Sequence, residues 1–161
     1  MGKEKKETMN GSVLGSTFEI SLRILLMLNE LSNSTLDEQQ IGALDFISVY
    51  AADFGLLDEN LHGYSNYRFS EYPARNYIVA SALKDLVLDG FAYLHPTPTG
   101  YKYSITEAGK TVCGNLTNNY AEEYIIAVQA VINKFDNADA EAMLRLINRV
   151  TIQSLKEVGH E

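Results

Sequence analysis

The chain has 161 residues, enough for one compact domain with its own core and too few for two comfortable ones. Apolar residues make up 46% and charged residues 21%, a globular balance that argues against disorder away from the ends. With 13 bases and 21 acids the net charge is −8, so the long-range field repels phosphate and favours solubility or a basic protein partner.

The longest apolar run, Ile24-Leu25-Leu26-Met27-Leu28, is far short of a membrane span. Met1–Glu7 mixes both charge signs and leads into no apolar stretch, so no secretory signal is expected. Glu7 stands near where a myristoylation motif beginning at Gly2 wants Ser or Thr, so no lipid anchor is expected either. The single cysteine, Cys113, excludes an internal disulfide and suits a reducing cytoplasm.

In chain order, residues 1–16 are polar and Gly/Ser-rich and read as a flexible lead-in. A first helix is predicted over Thr17–Leu31, capped by Thr17, with Phe18, Leu22, Leu25, Leu26 and Leu28 on one broad side. Ile24 and Met27 widen that side, which makes the helix central and nearly surrounded. Ser32-Asn33-Ser34-Thr35 ends it and offers caps for a second helix, Leu36–Tyr50, with Ile41, Leu44, Phe46 and Ile47 inward. From Ala52 to Tyr72 no period holds, and a connection this long is expected to be functional or mobile. Pro73 suits the first turn of a third helix, Ala74–Asp89, with Tyr77, Ile78, Ala82, Leu83, Leu86 and Val87 at helical spacing and Gly90 as terminator.

Phe91–His95 and Tyr101–Ile105 alternate like strands around the turn Pro96–Gly100, and Thr106-Glu107 opens another helix. Two more helices are predicted at Asn119–Phe135 and Ala138–Leu155. Tyr120, Tyr124, Val128, Val131, Ile132 and Phe135 stripe the first; Leu144, Ile147, Val150 and Leu155 stripe the second. The expected fold is therefore mainly α (α+β). A winged helix-turn-helix spans 17–118 with helix three in the recognition position, a C-terminal helical hairpin at 119–155 packs on the same domain, and a tail covers 156–161.

No catalytic constellation emerges. His62, His95 and His160 lack metal-pair spacing, and no Gly-rich loop follows a strand ahead of a helix. Cys113 reads as a packed cysteine, and Asp45 with Asp53 has no partner base for acid–base work. The chain is thus expected to be neither an enzyme nor a holder of a metal or cofactor.

Sequence-reading helices bring several Arg or Lys to phosphates. Helix three carries Arg75 and Lys84 against Asp85 and Asp89, and the wing tip carries no base. DNA reading would fall to Arg75, Lys84 and Lys102, in a homodimeric transcription regulator. Protein contact is the stronger reading. Tyr64, Tyr67, Phe69 and Tyr72, with Arg68 among them, are types enriched at interface hot spots. Arg75 joins that surface, and Asp45 and Asp53 form a second, acidic edge. The alternatives are rings that tuck the loop onto the core and acids on a solvated face.

Taken in order, several segments resemble the middle components of bacterial ABC-three-component systems. They are Phe18–Leu25, Ala43-Leu44-Asp45-Phe46, Leu61-His62-Gly63, Pro73-Ala74-Arg75-Asn76, Gly100-Tyr101-Lys102-Tyr103 with Thr106, and Asn119-Tyr120-Ala121. Gly63 stands where that family tends to carry proline. The resemblance, over about residues 17–150, implies similarity to the small accessory subunit of Lamassu-type antiphage defence. Such a subunit is a cytoplasmic, non-catalytic protein that bridges an SMC-like ABC ATPase and a nuclease-type effector, meeting DNA only through the complex.

Overall fold

A helix that is apolar on every side has to be surrounded, and two such helices set the architecture of this chain. The computed structural model describes residues 16–159; the lead-in 1–15 and the last two residues, His160 among them, lie outside the described residues. Helix α1 spans Thr17–Glu30, and Ser16 rather than Thr17 caps it by accepting from the Glu19 amide at 3.1 Å. Ile20 and the run Ile24–Leu28 are buried, as expected of a central helix, whereas Phe18 is exposed.

Helix α2, Glu38–Val49, is enclosed more completely. Every residue from Ile41 to Ala51 is buried, because α1, α3, α5 and α6 all pack on it. Its start is set by a reciprocal cap: the Asp37 side chain accepts from the Gln40 amide at 2.8 Å, and the Gln40 side chain accepts from the Asp37 amide at 2.9 Å. Such a box is worth about 1 kcal/mol. Leu36 and Asp37 are not helical; they form strand β1.

After α2 the chain turns through residues 50–67, makes a 3-10 turn at Arg68–Ser70 and enters α3 at Glu71–Leu88. The helix starts three residues earlier than Ala74, and Pro73 sits inside its first turn, where the missing N–H costs no intrahelical bond. A Schellman closure ends it. Gly90, with φ 83°, donates to Val87 O at 3.1 Å, and Phe91 donates to Leu86 O at 2.9 Å.

Strands β2 (Ala92–Thr97) and β3 (Gly100–Ile105) form an antiparallel hairpin in register Ala92↔Ile105 and Thr97↔Gly100, so Pro98-Thr99 is the loop. The expected turn Pro96–Gly100 is thus narrower than its turn-forming residues suggest. Strand β1 pairs with β3, giving the antiparallel order β1-β3-β2.

Thr106 closes the hairpin's base. Its hydroxyl donates to Gly90 O at 2.8 Å and accepts from the Gly109 amide at 3.0 Å, which caps α4, Glu107–Gly114. Helices α5 (Asn119–Lys134) and α6 (Ala140–Gly159) follow, joined by a 3-10 turn at Asp136–Ala138. Both pack on α2 rather than mainly on each other. Helix α6 continues into the expected tail as far as Gly159, and Leu155, expected inward, is exposed along with Ile152. The chain is therefore mainly helical with one small antiparallel sheet. No helix among the described residues is long and apolar enough to cross a membrane.

The tightest backbone approach is at Gly109, where an added Cβ would lie 2.4 Å from Phe91 O and 2.7 Å from Ile105 Cγ1. Gly109→Ala should therefore destabilise by about 1–3 kcal/mol in denaturant unfolding. Gly42→Ala, which meets only the movable end of Asn76 at 2.8 Å, should cost markedly less.

Candidate functional site

Three helices each turn a charged side chain inward, and the three meet. Arg23 on α1, Asp45 on α2 and Arg75 on α3 are at most 2% exposed. Arg23 donates through Nε to Asp45 Oδ1 at 2.9 Å and through Nη2 to Oδ2 at 3.0 Å. Arg75 Nη1 donates to Asp45 Oδ2 at 3.1 Å, and Tyr124 of α5 donates its hydroxyl to Oδ1 at 2.7 Å. Burial of an ion costs several kcal/mol, which is offset only when its hydrogen-bonding capacity is met. Asp45 meets that condition with four donors from three helices.

Burial alone would raise the Asp45 pKa, but the two guanidiniums and the Tyr124 hydroxyl reverse it and hold the carboxyl well below the usual range. Burial pushes the Tyr124 hydroxyl, itself beside Asp45, well above its ordinary value. Both groups keep the charge states that the bonds require.

A second carboxylate completes the cluster. Glu71 accepts from Arg75 Nη2 at 3.4 Å and from the Tyr50 hydroxyl at 2.6 Å, while the Arg75 guanidinium lies over the rings of Phe46 and Tyr50. Arg75 Nε is the one buried side-chain polar atom without a hydrogen-bond partner among the described residues. Nearby, His62 Nε2 lies 2.6 Å from the Tyr120 hydroxyl. Burial, then the charges of Arg23 and Arg75, lowers the His62 pKa to about 4.

This geometry corrects part of the expected contact surface. Asp45 is fully buried and Arg75 is 1% exposed, so neither can face a partner or a DNA groove. Phe69 is buried against Phe46 and Phe54, and Tyr72 is half-buried against Phe46; these two rings tuck the loop onto the core. Asp53 is not an independent acidic edge with Asp45: Arg68 grips it through two bonds, at 2.7 and 3.0 Å.

What remains outward is Tyr64, 52% exposed, and Tyr67, 78% exposed. Tyr77, expected inward, is 85% exposed and adds a third ring to the outside. Of the DNA-contact candidates, Lys84 is exposed and Lys102 half-buried.

The long connection is pinned rather than loose. Asn60 accepts from the Ala52 and Asp53 amides and donates to Asp53 Oδ2 and Gly63 O. The Tyr64 hydroxyl donates to Glu59 Oε2 at 2.7 Å and accepts from the Asn60 amide at 3.2 Å. The bond to Glu59 raises the Tyr64 pKa, so the phenol stays protonated.

Arg23, Glu71 and Tyr124 went unsuspected as members of a site. For Arg23 the signal was present: a charge flanked by residues that must lie inside has to find a buried partner, whereas Glu71 at a helix start and Tyr124 in an apolar stripe carry no such mark. Cys113 is buried, and desolvation followed by Glu30 pushes its thiol to about 11, so it carries no thiolate at neutral pH. Among the described residues no group of three or more His, Cys, Asp and Glu is placed to hold a metal ion.

Asp45→Asn keeps the volume but leaves the buried Arg23 with no countercharge and Arg75 with Glu71 alone, and should cost about 3–5 kcal/mol in chemical unfolding. Because the folded Asp45 pKa is depressed, its stabilisation is complete above the unfolded value of about 3.8 and is lost as the pH falls through the lower folded value. His62 titrates in a different window. The unfolded imidazole takes up a proton near pH 6.5 and the folded one only near 4, so stability should decline as the pH falls between them. His62→Gln should flatten that part of the pH profile of the urea midpoint.

No curated protein and no solved structure matches this chain. The segments that resemble middle components supply Arg23, Asp45, His62, Arg75 and Tyr120 to the buried cluster and its border. The family model of the ABC-three component (ABC-3C) system Middle Component 2 matches residues 13–157, and the chain belongs to that family.

Proposed function

We propose that this chain is the non-catalytic accessory subunit of an antiphage defence complex of the Lamassu type, bridging an SMC-like ABC ATPase and a nuclease-type effector in the cytoplasm. Family membership supports its place in a multi-component system. The element order α1-β1-α2-α3-β2-β3, with β3 central in the sheet, supports reading residues 17–118 as a winged helix. On this reading residues 119–155 belong to the same folding unit, since α5 is bonded to the buried cluster through Tyr124 and α6 packs on α2.

The observation that carries the proposal is the burial of Arg75. It leaves the outward face of α3, the recognition position, with Lys84 beside Asp85 among uncharged residues that include Asn76, Tyr77, Ala80, Ser81 and Leu88. A face so near neutrality has little with which to hold phosphates. It is well supplied for polypeptide, since exposed tyrosines bring large rigid area at low entropic cost. The same burial weakens the DNA-regulator reading, which leaned on Arg75 and Lys84. DNA enters only through the assembled complex.

Tyr67 is the most informative residue to change, because it is exposed and its ring makes no hydrogen bond or aromatic contact among the described residues. Tyr67→Ala should leave unfolding unchanged and weaken co-purification with the ATPase by about tenfold or more, the scale of a hot-spot ring. Adding Arg68→Ala, which also releases Asp53, should abolish it. Undiminished co-purification of both variants would reject this surface, and tight salt-sensitive binding of the lone chain to one defined duplex would favour the regulator instead.

A further inference from the structure

An open cleft of about 250 Å³ lies between the pinned loop and α5. Leu57, Leu61, Ile126 and Ala127 give it an apolar lining, and Glu59 and Glu123 also border it. Ile126 is 55% exposed although its neighbours Ala127 and Val128 are buried in the core.

The charge around the cleft is one-sided. No Lys or Arg stands between Arg23 and Arg68, or between Lys110 and Lys134, so both strips of chain that build the walls lack a base. Asp58 and Glu122 stand next in sequence to the bordering acids. Glu59 is held in place by the Tyr64 hydroxyl, and neither Glu59 nor Glu123 has an ion-pair partner among the described residues. Asn60, with its side-chain bonds to both ends of the loop, makes the wall preformed, which lowers the ordering cost of binding.

We infer that this cleft docks a cationic amphipathic segment of another polypeptide of the system. One or two aliphatic side chains of that segment enter against Ile126 and Leu61, and its Lys or Arg residues lie along Glu59 and Glu123. The inference rests on the proposed role as a protein-bridging subunit and adds a second contact surface, apart from Tyr67, with a stated chemistry. The volume falls below the ~300–1,000 Å³ of small-molecule pockets and suits side chains. The unpaired acids repel phosphate, which disfavours nucleic acid as the occupant. Complementary charge at such a site sets the approach and register of the partner more than the total affinity.

The test is a photo-crosslink from benzoylphenylalanine placed at Ile126, with the full-length chain co-expressed and purified together with the other components of its own system. The expected product joins position 126 to a partner segment in which Lys or Arg flanks aliphatic residues. Glu123→Lys, at a side chain that makes no hydrogen bond or ion pair among the described residues, should lower crosslink yield about tenfold, and Glu59→Gln should lower it less. A complex that assembles but gives no crosslink overturns this inference and leaves the bridging role intact. So does a crosslink to nucleic acid, to an acidic segment or to a second copy of this chain. Failure of the unmodified chain to assemble with any component overturns the bridging role, and this inference with it.

Discussion

The structure depends on a single carboxylate. Asp45 lies fully buried at the meeting of α1, α3 and α5, and a side chain from each of these three helices donates to it. Apolar packing is tolerant of small rotations and slides. A bidentate guanidinium on one side, a second guanidinium on another and a phenol on the third are not. Burying these charges adds little net stability, and a well-packed apolar substitute would do as well or better by that measure. Their contribution is to fix one mutual orientation of four helices among the many that Ile, Leu and Val would accept.

That arrangement decides what is left for the surface. Because Arg75 turns inward to Asp45 and Glu71, α3 keeps its best cation for the core and shows the outside mainly small, polar and aromatic groups. Arg68 is likewise committed, clasping Asp53 and lying over the Phe69 and Tyr64 rings. Of the two cations on α3, Arg75 is consumed in building the scaffold, and Lys84 stands exposed beside Asp85. A chain of net charge −8 then meets its surroundings through tyrosines and acids.

Much of the fold was legible in the residues. Gly90 as a terminator, alternation on either side of Pro98-Thr99, and Thr106 as a cap gave the α3–hairpin–α4 run its order. Boundaries failed where a local device was invisible to periodicity. A two-residue strand has no period, so β1 was read into α2, although Asp37 and Gln40 already carried the spacing of a reciprocal cap. The site was less legible. Asp45 and Arg75 were singled out for their charge, and composition along one helix cannot say whether a charge faces water or a partner on another helix. The clue lay in their flanks: Leu44-Asp45-Phe46, like Leu22-Arg23-Ile24, is a charge between residues that must be inside.

Gln40 ties two ends of the molecule together. The same side chain that closes the cap of α2 also donates through Nε2 to Ala138 O at 3.1 Å, in the turn where Asn137 and Ala138 adopt positive φ. That turn leads into α6, which leaves Ile152 and Leu155 bare toward its far end. Whatever grasps the far end of α6 holds a lever whose fulcrum is wired to the first turn of the most enclosed helix. Tension applied there is felt at the centre of the protein through that amide and through the buried face of α6 on α2, without passing through the sheet.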